Sequence, residues 1–173
     1  GHIALAHNGN LTNAGSLRQE LVNEGAIFQS SSDSEVILHL IARSRINNQV
    51  EQIKEALDKV KGAFSVVLLT DSSLVAARDP HGFKPLCIGK LNNSYIVASE
   101  TCALDIIKAE YVRDVEPGEI VVIDDEVLKT GNIKSFRLTE KPENHSKCIF
   151  EYIYFSRPDS KIFGHNVDKV RRK

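Results

Sequence analysis

The chain has 173 residues, of which 42% are apolar and 26% charged, and its net charge is −1. These values suit an ordinary soluble core and exclude any broad electrostatic pull on nucleic acid or an anionic membrane. The three cysteines, Cys87, Cys102 and Cys148, are too few and too far apart for a disulfide framework and fit a reducing cytoplasm; no apolar run reaches membrane-spanning length and no signal peptide is visible.

The chain opens at Gly1-His2 and contains no methionine, so it reads as an internal piece of a longer protein. Ile3 to Ala6 predicts a short buried strand that stops at a polar turn, His7-Asn8-Gly9-Asn10. Thr12 to Glu24 predicts a helix, with Leu17, Leu21 and Val22 at helical spacing and Gly25 as its stop. Ala26 to Gln29 reads as a strand. In "SSSDSEVILHLIARSR", Ser32, Asp33 or Ser34 is placed to cap a helix carrying Val36, Ile37, Leu40 and Ile41 on one face. Gln49 to Lys61 predicts another helix. After Gly62 the pattern turns to strands: "AFSVVLLT" and "SLVAARD", then "PLCIGK" and "YIVASE" around the turn at Leu91–Ser94. A short helix follows at Cys102 to Lys108. "GEIVVID" and "VLKTG" read as a hairpin, with "IKSFRL" as the next strand. Thr139 to Lys147 is the most polar stretch and the best boundary, the apolar "CIFEYIYF" returns to packing, and the basic tail "DKVRRK" reads as a solvated helix start. The whole predicts a layered α+β domain with helices packed on a sheet.

Chemistry has few places to sit. Asn8 offers an amide donor and Gly9 lets a backbone N–H approach a ligand, so the pair can stabilise an oxyanion; Asn-Gly is equally a tight-turn pair. Asp33 can bind a ligand ammonium group or cap the following helix. "ARDPHGFKPL" gathers Arg78, Asp79, His81 and Lys84 in a rigid loop that either contacts substrate or a neighbouring domain, or only houses an Arg78–Asp79 ion pair. Arg113-Asp114 reads as structural, and His39 as packing or surface. The six histidines are scattered, with no metal constellation and no phosphate-binding glycine loop.

Together, "AHNGNLTNAGSLRQEL" and "SSSDSEVI" resemble the glutamine-hydrolysing domain of class II glutamine amidotransferases. "KGAFSVVLLT", "AARDPHGFKPLCIG", "VASETCALD", "VRDVEPGEIVVI" and "CIFEYIYFSRPDS" narrow the resemblance to the branch that uses phosphoribosylpyrophosphate as ammonia acceptor. The resemblance implies a four-layer αββα N-terminal-nucleophile hydrolase fold with its first strands missing. It implies an amidotransferase domain over residues 1–146 and, over 147–173, the lead-in to a phosphoribosyltransferase domain. It implies that the whole enzyme hydrolyses glutamine and transfers the ammonia to phosphoribosylpyrophosphate with Mg²⁺, giving 5-phosphoribosylamine, glutamate and pyrophosphate at the first committed step of purine synthesis.

By the same resemblance Asn8 and Gly9 form the oxyanion hole and Asp33 binds the glutamine amino group. The nucleophile is an amino-terminal cysteine that this chain does not contain, so the chain alone is expected to be inactive. Cys148 matches the position of one ligand of a [4Fe–4S] cluster carried by some members, and is otherwise a buried thiol. Lys84 stands where arginine is common and Lys108 where glycine is common. Family members are usually homo-oligomers. The alternatives are another class II amidotransferase, such as the one that makes glucosamine 6-phosphate, or a non-catalytic regulatory domain.

Overall fold

A computed structural model describes residues 2–138 and 145–173. The first strand, β1 (Ile3–Leu11), is longer than the sequence suggested. It runs straight through His7-Asn8-Gly9-Asn10 and pairs antiparallel with β2 (Gly62–Thr70) over its full length, Asn8 facing Ser65 and Gly9 facing Phe64. The predicted turn is therefore strand. A Cβ at Gly9 would meet the Ala63 carbonyl oxygen at 2.0 Å, so glycine is what lets β1 approach β2 here.

Helix α1 (Ala14–Asn23) follows. Residues 26–29 are not a strand but a loop closed by a side chain: the Gln29 and Ser30 N–H groups donate to the two Glu35 carboxylate oxygens at 2.7 and 2.8 Å. Helix α2 (Ser34–Arg43) and helix α3 (Gln49–Lys59) come next, the latter capped by the Asn48 side chain on the Glu51 N–H. Val36, Ile37 and Ile41 of α2 and Ile53, Ala56 and Leu57 of α3 are buried, as amphipathic spacing requires.

Strands β3 (Ser73–Arg78), β4 (Cys87–Leu91) and β5 (Ser94–Ala98) precede helix α4 (Thr101–Ile106), and then come β6 (Glu110–Asp114) and β7 (Glu119–Asp124). "VLKTG" does not form the hairpin expected after β7. It becomes helix α5 (Asp125–Thr130), because the Asp124 carboxylate accepts the Glu126 and Val127 N–H groups and Gly131 closes the end in the left-handed conformation. Strand β8 (Lys134–Arg137) then returns to pair with β7. The boundary expected at Thr139–Lys147 lies mostly outside the described residues.

These eight strands form two antiparallel sheets, one ordered β1-β2-β3-β7-β8 and the other β5-β4-β6. One face of the larger sheet (Phe64, Val66, Leu68, Val75, Ile120) packs on Ile37, Ile41, Ile53 and Leu57 of α2 and α3. Its other face (Ala76, Val121, Ile123) packs on Ile88 and Val97 of the smaller sheet. Helix α4 covers the far side of that sheet, where Leu104 sits so close to Gly89 that a Cβ there would lie 2.5 Å from it. The order helix, sheet, sheet, helix is the αββα layering.

The C-terminal region begins with a π-helical turn, Glu151–Phe155, and ends with a short β9–β10 hairpin (Lys161–Ile162 and His165–Asn166) and helix α6 (Val167–Arg171). Only Glu151 and Tyr152 of the π-helical turn are buried; Ile149, Phe150, Ile153, Tyr154 and Phe155 face outward, against the expectation that "CIFEYIYF" is packed. The basic tail is helical and exposed, as expected.

Candidate active site

The period of two along β1 places the site. Odd positions Ile3, Leu5 and Leu11 face the helices and join the core beneath them, so His7 faces that side too. Its side chain is only 3% exposed, and Nδ1 lies 3.1 Å from Ser34 Oγ and 3.5 Å from Asp33 Oδ1. His7 Nε2 is buried with no hydrogen-bond partner. Even positions face the other way. Asn8 points toward the smaller sheet, and its Nδ2 donates to Ser99 Oγ at 3.3 Å.

Asp33 stands at the N-cap position of α2, but its side chain makes no capping hydrogen bond. The expected cap is absent because the carboxylate is turned to β1, where Oδ2 accepts the Leu11 N–H at 2.9 Å. That bond also orients the strand. The Leu11 N–H points to the free edge of β1, and by strand alternation so does the Gly9 N–H two residues earlier. A backbone donor at Gly9, a side-chain amide at Asn8 and a carboxylate at Asp33, 25% exposed, thus belong to one edge of the larger sheet.

In the "RDPHGFKPL" loop Arg78 and Asp79 turn to backbone partners rather than pairing with each other. Both residues are buried, and both bond to backbone. Arg78 donates to the carbonyls of Gly82, Lys84 and Val115. Asp79 accepts the N–H groups of Phe64, His81, Gly82 and Phe83. Burial pushes the Asp79 carboxyl up, and those four N–H groups oppose the push by favouring the carboxylate. The loop is a rigid corner that ties β2, β3 and the segment before β7. Lys84 reaches Glu151 at 2.8 Å and so pins the π-helical turn to it. Arg113 is structural as expected, gripping Glu119 with two bonds of 2.8 Å, and His39 packs against Phe28 with ring centroids 4.3 Å apart.

None of the three cysteines is placed as a nucleophile for this edge. Cys87 and Cys102 are buried on α4's side of the smaller sheet, where burial pushes the Cys87 thiol up to about 12. Cys148 is half-buried, its N–H on the Phe83 carbonyl. Among the described residues no three histidine, cysteine, aspartate or glutamate side chains converge on a metal-sized site.

Sequence reasoning missed His7 and Ser99. His7 was legible: reading Ile3 to Leu11 as one alternating strand puts it on the buried face. Ser99 was not, since 91 residues separate it from Asn8.

The layering is that of an N-terminal-nucleophile-type α+β domain, and the chain belongs to the glutamine amidotransferase domain family, whose model matches residues 1–105. Over almost its whole length it is similar to amidophosphoribosyltransferases. It is 49% identical to that of Bacillus subtilis over 99% of this chain and 35% of the relative. It is 49% identical to amidophosphoribosyltransferase 2, chloroplastic, of Arabidopsis thaliana over 99% of this chain and 30% of the relative. The solved glutamine phosphoribosylpyrophosphate amidotransferase of B. subtilis, complexed with ADP and GMP, superposes with a TM-score of 0.90 over 98% of this chain and 36% of that one, at 49% identity. The chain thus spans about a third of the length of these relatives. A glutamine aminotransferase class-II domain protein from Silicibacter pomeroyi, 16% identical, shares the fold with a TM-score of 0.56 over 80% of this chain.

Proposed function

We propose that the chain is the glutamine-handling part of an enzyme that hydrolyses glutamine and passes the ammonia to phosphoribosylpyrophosphate, giving 5-phosphoribosylamine, glutamate and pyrophosphate in purine biosynthesis. The observation that carries this reading is the likeness to amidophosphoribosyltransferases, which continues past residue 105, where the domain match stops, over 99% of the chain.

In this reading glutamine lies along the free edge of β1. Asp33 takes its α-ammonium through a charge-assisted bond, while the Leu11 N–H holds the carboxylate in place. A thiolate supplied from outside the 173 residues attacks the side-chain amide carbon. The carbonyl π electrons move onto oxygen, where the Gly9 N–H and Asn8 Nδ2–H meet them. Donors already aimed at a developing oxyanion are worth about 3 kcal/mol each in the barrier. Collapse of the intermediate breaks the C–N bond as the nitrogen takes the proton that the attacking thiol gave up to its own α-amino group and leaves as ammonia; water then cleaves the thioester, releasing glutamate and restoring the thiol.

We place phosphoribosylpyrophosphate and its Mg²⁺ outside the chain, in a cytoplasmic homo-oligomer. No described helix is long and apolar enough to cross a membrane. A [4Fe–4S] cluster would take from this chain the Cys148 thiolate and draw three ligands from elsewhere; iron and sulfide analysis of the full-length protein tests that, and iron-free protein overturns it.

The function is tested by giving the full-length protein glutamine, phosphoribosylpyrophosphate and Mg²⁺ and following glutamate and pyrophosphate together. Near-equal, coupled release is expected. Glutamate release that responds to fructose 6-phosphate instead assigns the chain to the glucosamine branch and overturns the proposal.

A further inference from the structure

Asn8 poses a positioning problem. It lies on an edge strand, so no neighbouring strand flanks its outer side. The torsion that turns a carboxamide is broad and offers little intrinsic preference. A donor that must meet an oxyanion needs an external constraint, since a misplacement of about 1 Å can cost about 10²-fold in rate. Among the described residues the partner of the Asn8 side chain is Ser99 Oγ, which takes one of its two N–H hydrogens. The second hydrogen is then fixed in direction by the plane of the amide.

Ser99 is itself held from an unexpected place. It occupies the bend between β5 and α4, and the next two residues bind the far C-terminal segment. A single oxygen of Glu100, Oε2, accepts both the Arg157 N–H and the Ser160 hydroxyl at 2.7 Å. Thr101 Oγ1 accepts the Lys161 N–H at 2.8 Å. The turn they grip is rigid: Ser160 is fully buried, its N–H donates to the Arg157 carbonyl and its own carbonyl accepts the Val167 N–H. Three consecutive residues therefore join the amide on β1 to the turn at 157–161.

We propose that Ser99 is a positioning residue for the Asn8 carboxamide, and that Glu100 and Thr101 keep it in place by anchoring on the turn at 157–161. This rests on the glutamine-hydrolysing reading of Asn8. Loosening the turn then loosens the donor, so the segment that follows the two-sheet domain sets the quality of the site without touching substrate.

The test uses glutamine hydrolysis by the full-length protein, with kcat and KM read separately and folding checked by thermal melting. Ser99→Ala is expected to lower kcat about tenfold, less than the ~10²-fold or more that loss of an oxyanion donor costs, with KM for glutamine unchanged because Asp33 is untouched. Ser99→Thr, which keeps the hydroxyl, restores most of kcat. In an Asn8→Ala background Ser99→Ala adds nothing, since both act through one group. Glu100→Gln, a weaker acceptor of nearly the same shape, lowers kcat about threefold with KM unchanged, and it carries the test should Ser99→Ala not fold. Asn8→Ala that lowers kcat alongside Ser99→Ala or Glu100→Gln that does not overturns the positioning role and leaves the glutamine-hydrolysing reading standing. Asn8→Ala with full kcat overturns that reading itself.

Discussion

Gly9→Ala separates a glycine that packs from a glycine that merely bends. A Cβ at this position would lie 2.0 Å from the Ala63 carbonyl oxygen, 2.8 Å from the Ala63 carbonyl carbon and 2.8 Å from His7 Nε2. Real Cβ atoms keep at least 3.0 Å, so the strands must part by about 3.0 − 2.0 = 1.0 Å. The obstacle is the backbone of β2, which cannot swing aside as a flexible side chain would. Moreover φ at Gly9 is +155°, which residues with a Cβ rarely adopt. Overpacking of this kind costs about 1–3 kcal/mol, and backbone opposition puts Gly9→Ala at the upper end. A loss of about 2–3 kcal/mol lowers the melting temperature of a domain this size by about 4–12 °C. Differential scanning calorimetry of wild type and variant reads that shift, and amide exchange of Asn8 to Leu11 reads the local parting. An unchanged melt with unchanged exchange would refute the close approach of β1 to β2 and return the segment to a loose turn.

Two further outcomes are expected. Asp79→Ala removes a fully buried carboxylate that accepts four backbone N–H groups, of which the Gly82 N–H keeps the Asp79 carbonyl as a second acceptor; it should cost about 2–4 kcal/mol in urea unfolding, and a loss under about 1 kcal/mol would show that the corner does not depend on the carboxylate. Glu35, held by the Gln29 N–H and the Ser30 hydroxyl, has its carboxyl lowered from 4.5 to about 2. The folded form thus binds a proton less readily than the unfolded chain. Its stabilising contribution is complete above 4.5 and is lost as pH falls from there through about 2. Glu35→Gln should flatten the stability curve over that interval; parallel curves for the two proteins would show that the loop ahead of Asp33 is not closed by charge.

Elements with a strong periodic signal were legible in the sequence. The α2 and α3 faces carry Ile37, Ile41, Ile53 and Leu57 at helical spacing, and β2 is dense in β-branched residues, so local pattern and burial agree. Misreadings arose where a distant or polar partner outweighed the local pattern. Asn-Gly is a turn pair in isolation, yet nine consecutive pairings with β2 absorb it into a strand. "VLKTG" looks like a strand until Asp124 caps it as a helix. Asp33 has the composition of a cap, but Leu11 offers its carboxylate an otherwise unpaired donor. The residues expected at the site, Asn8, Gly9 and Asp33, were named from resemblance and do fall on one strand edge and the helix start beside it; the buried place of His7 follows from the alternation of β1, whereas Ser99 meets Asn8 only through tertiary approach, which local pattern does not encode.

The contact between Gly89 and Leu104 has an evolutionary consequence. Leu104 fills the space a side chain at position 89 would occupy, and α4 rests on the smaller sheet at that depth. The two positions share one volume. A larger residue at 89 is tolerated only if 104 shrinks, and otherwise it lifts the helix whose preceding bend carries Ser99. Across the homologues, side-chain sizes at 89 and 104 should therefore vary in opposite directions, and lineages that break the trade-off should show compensating change around Ser99 and Glu100.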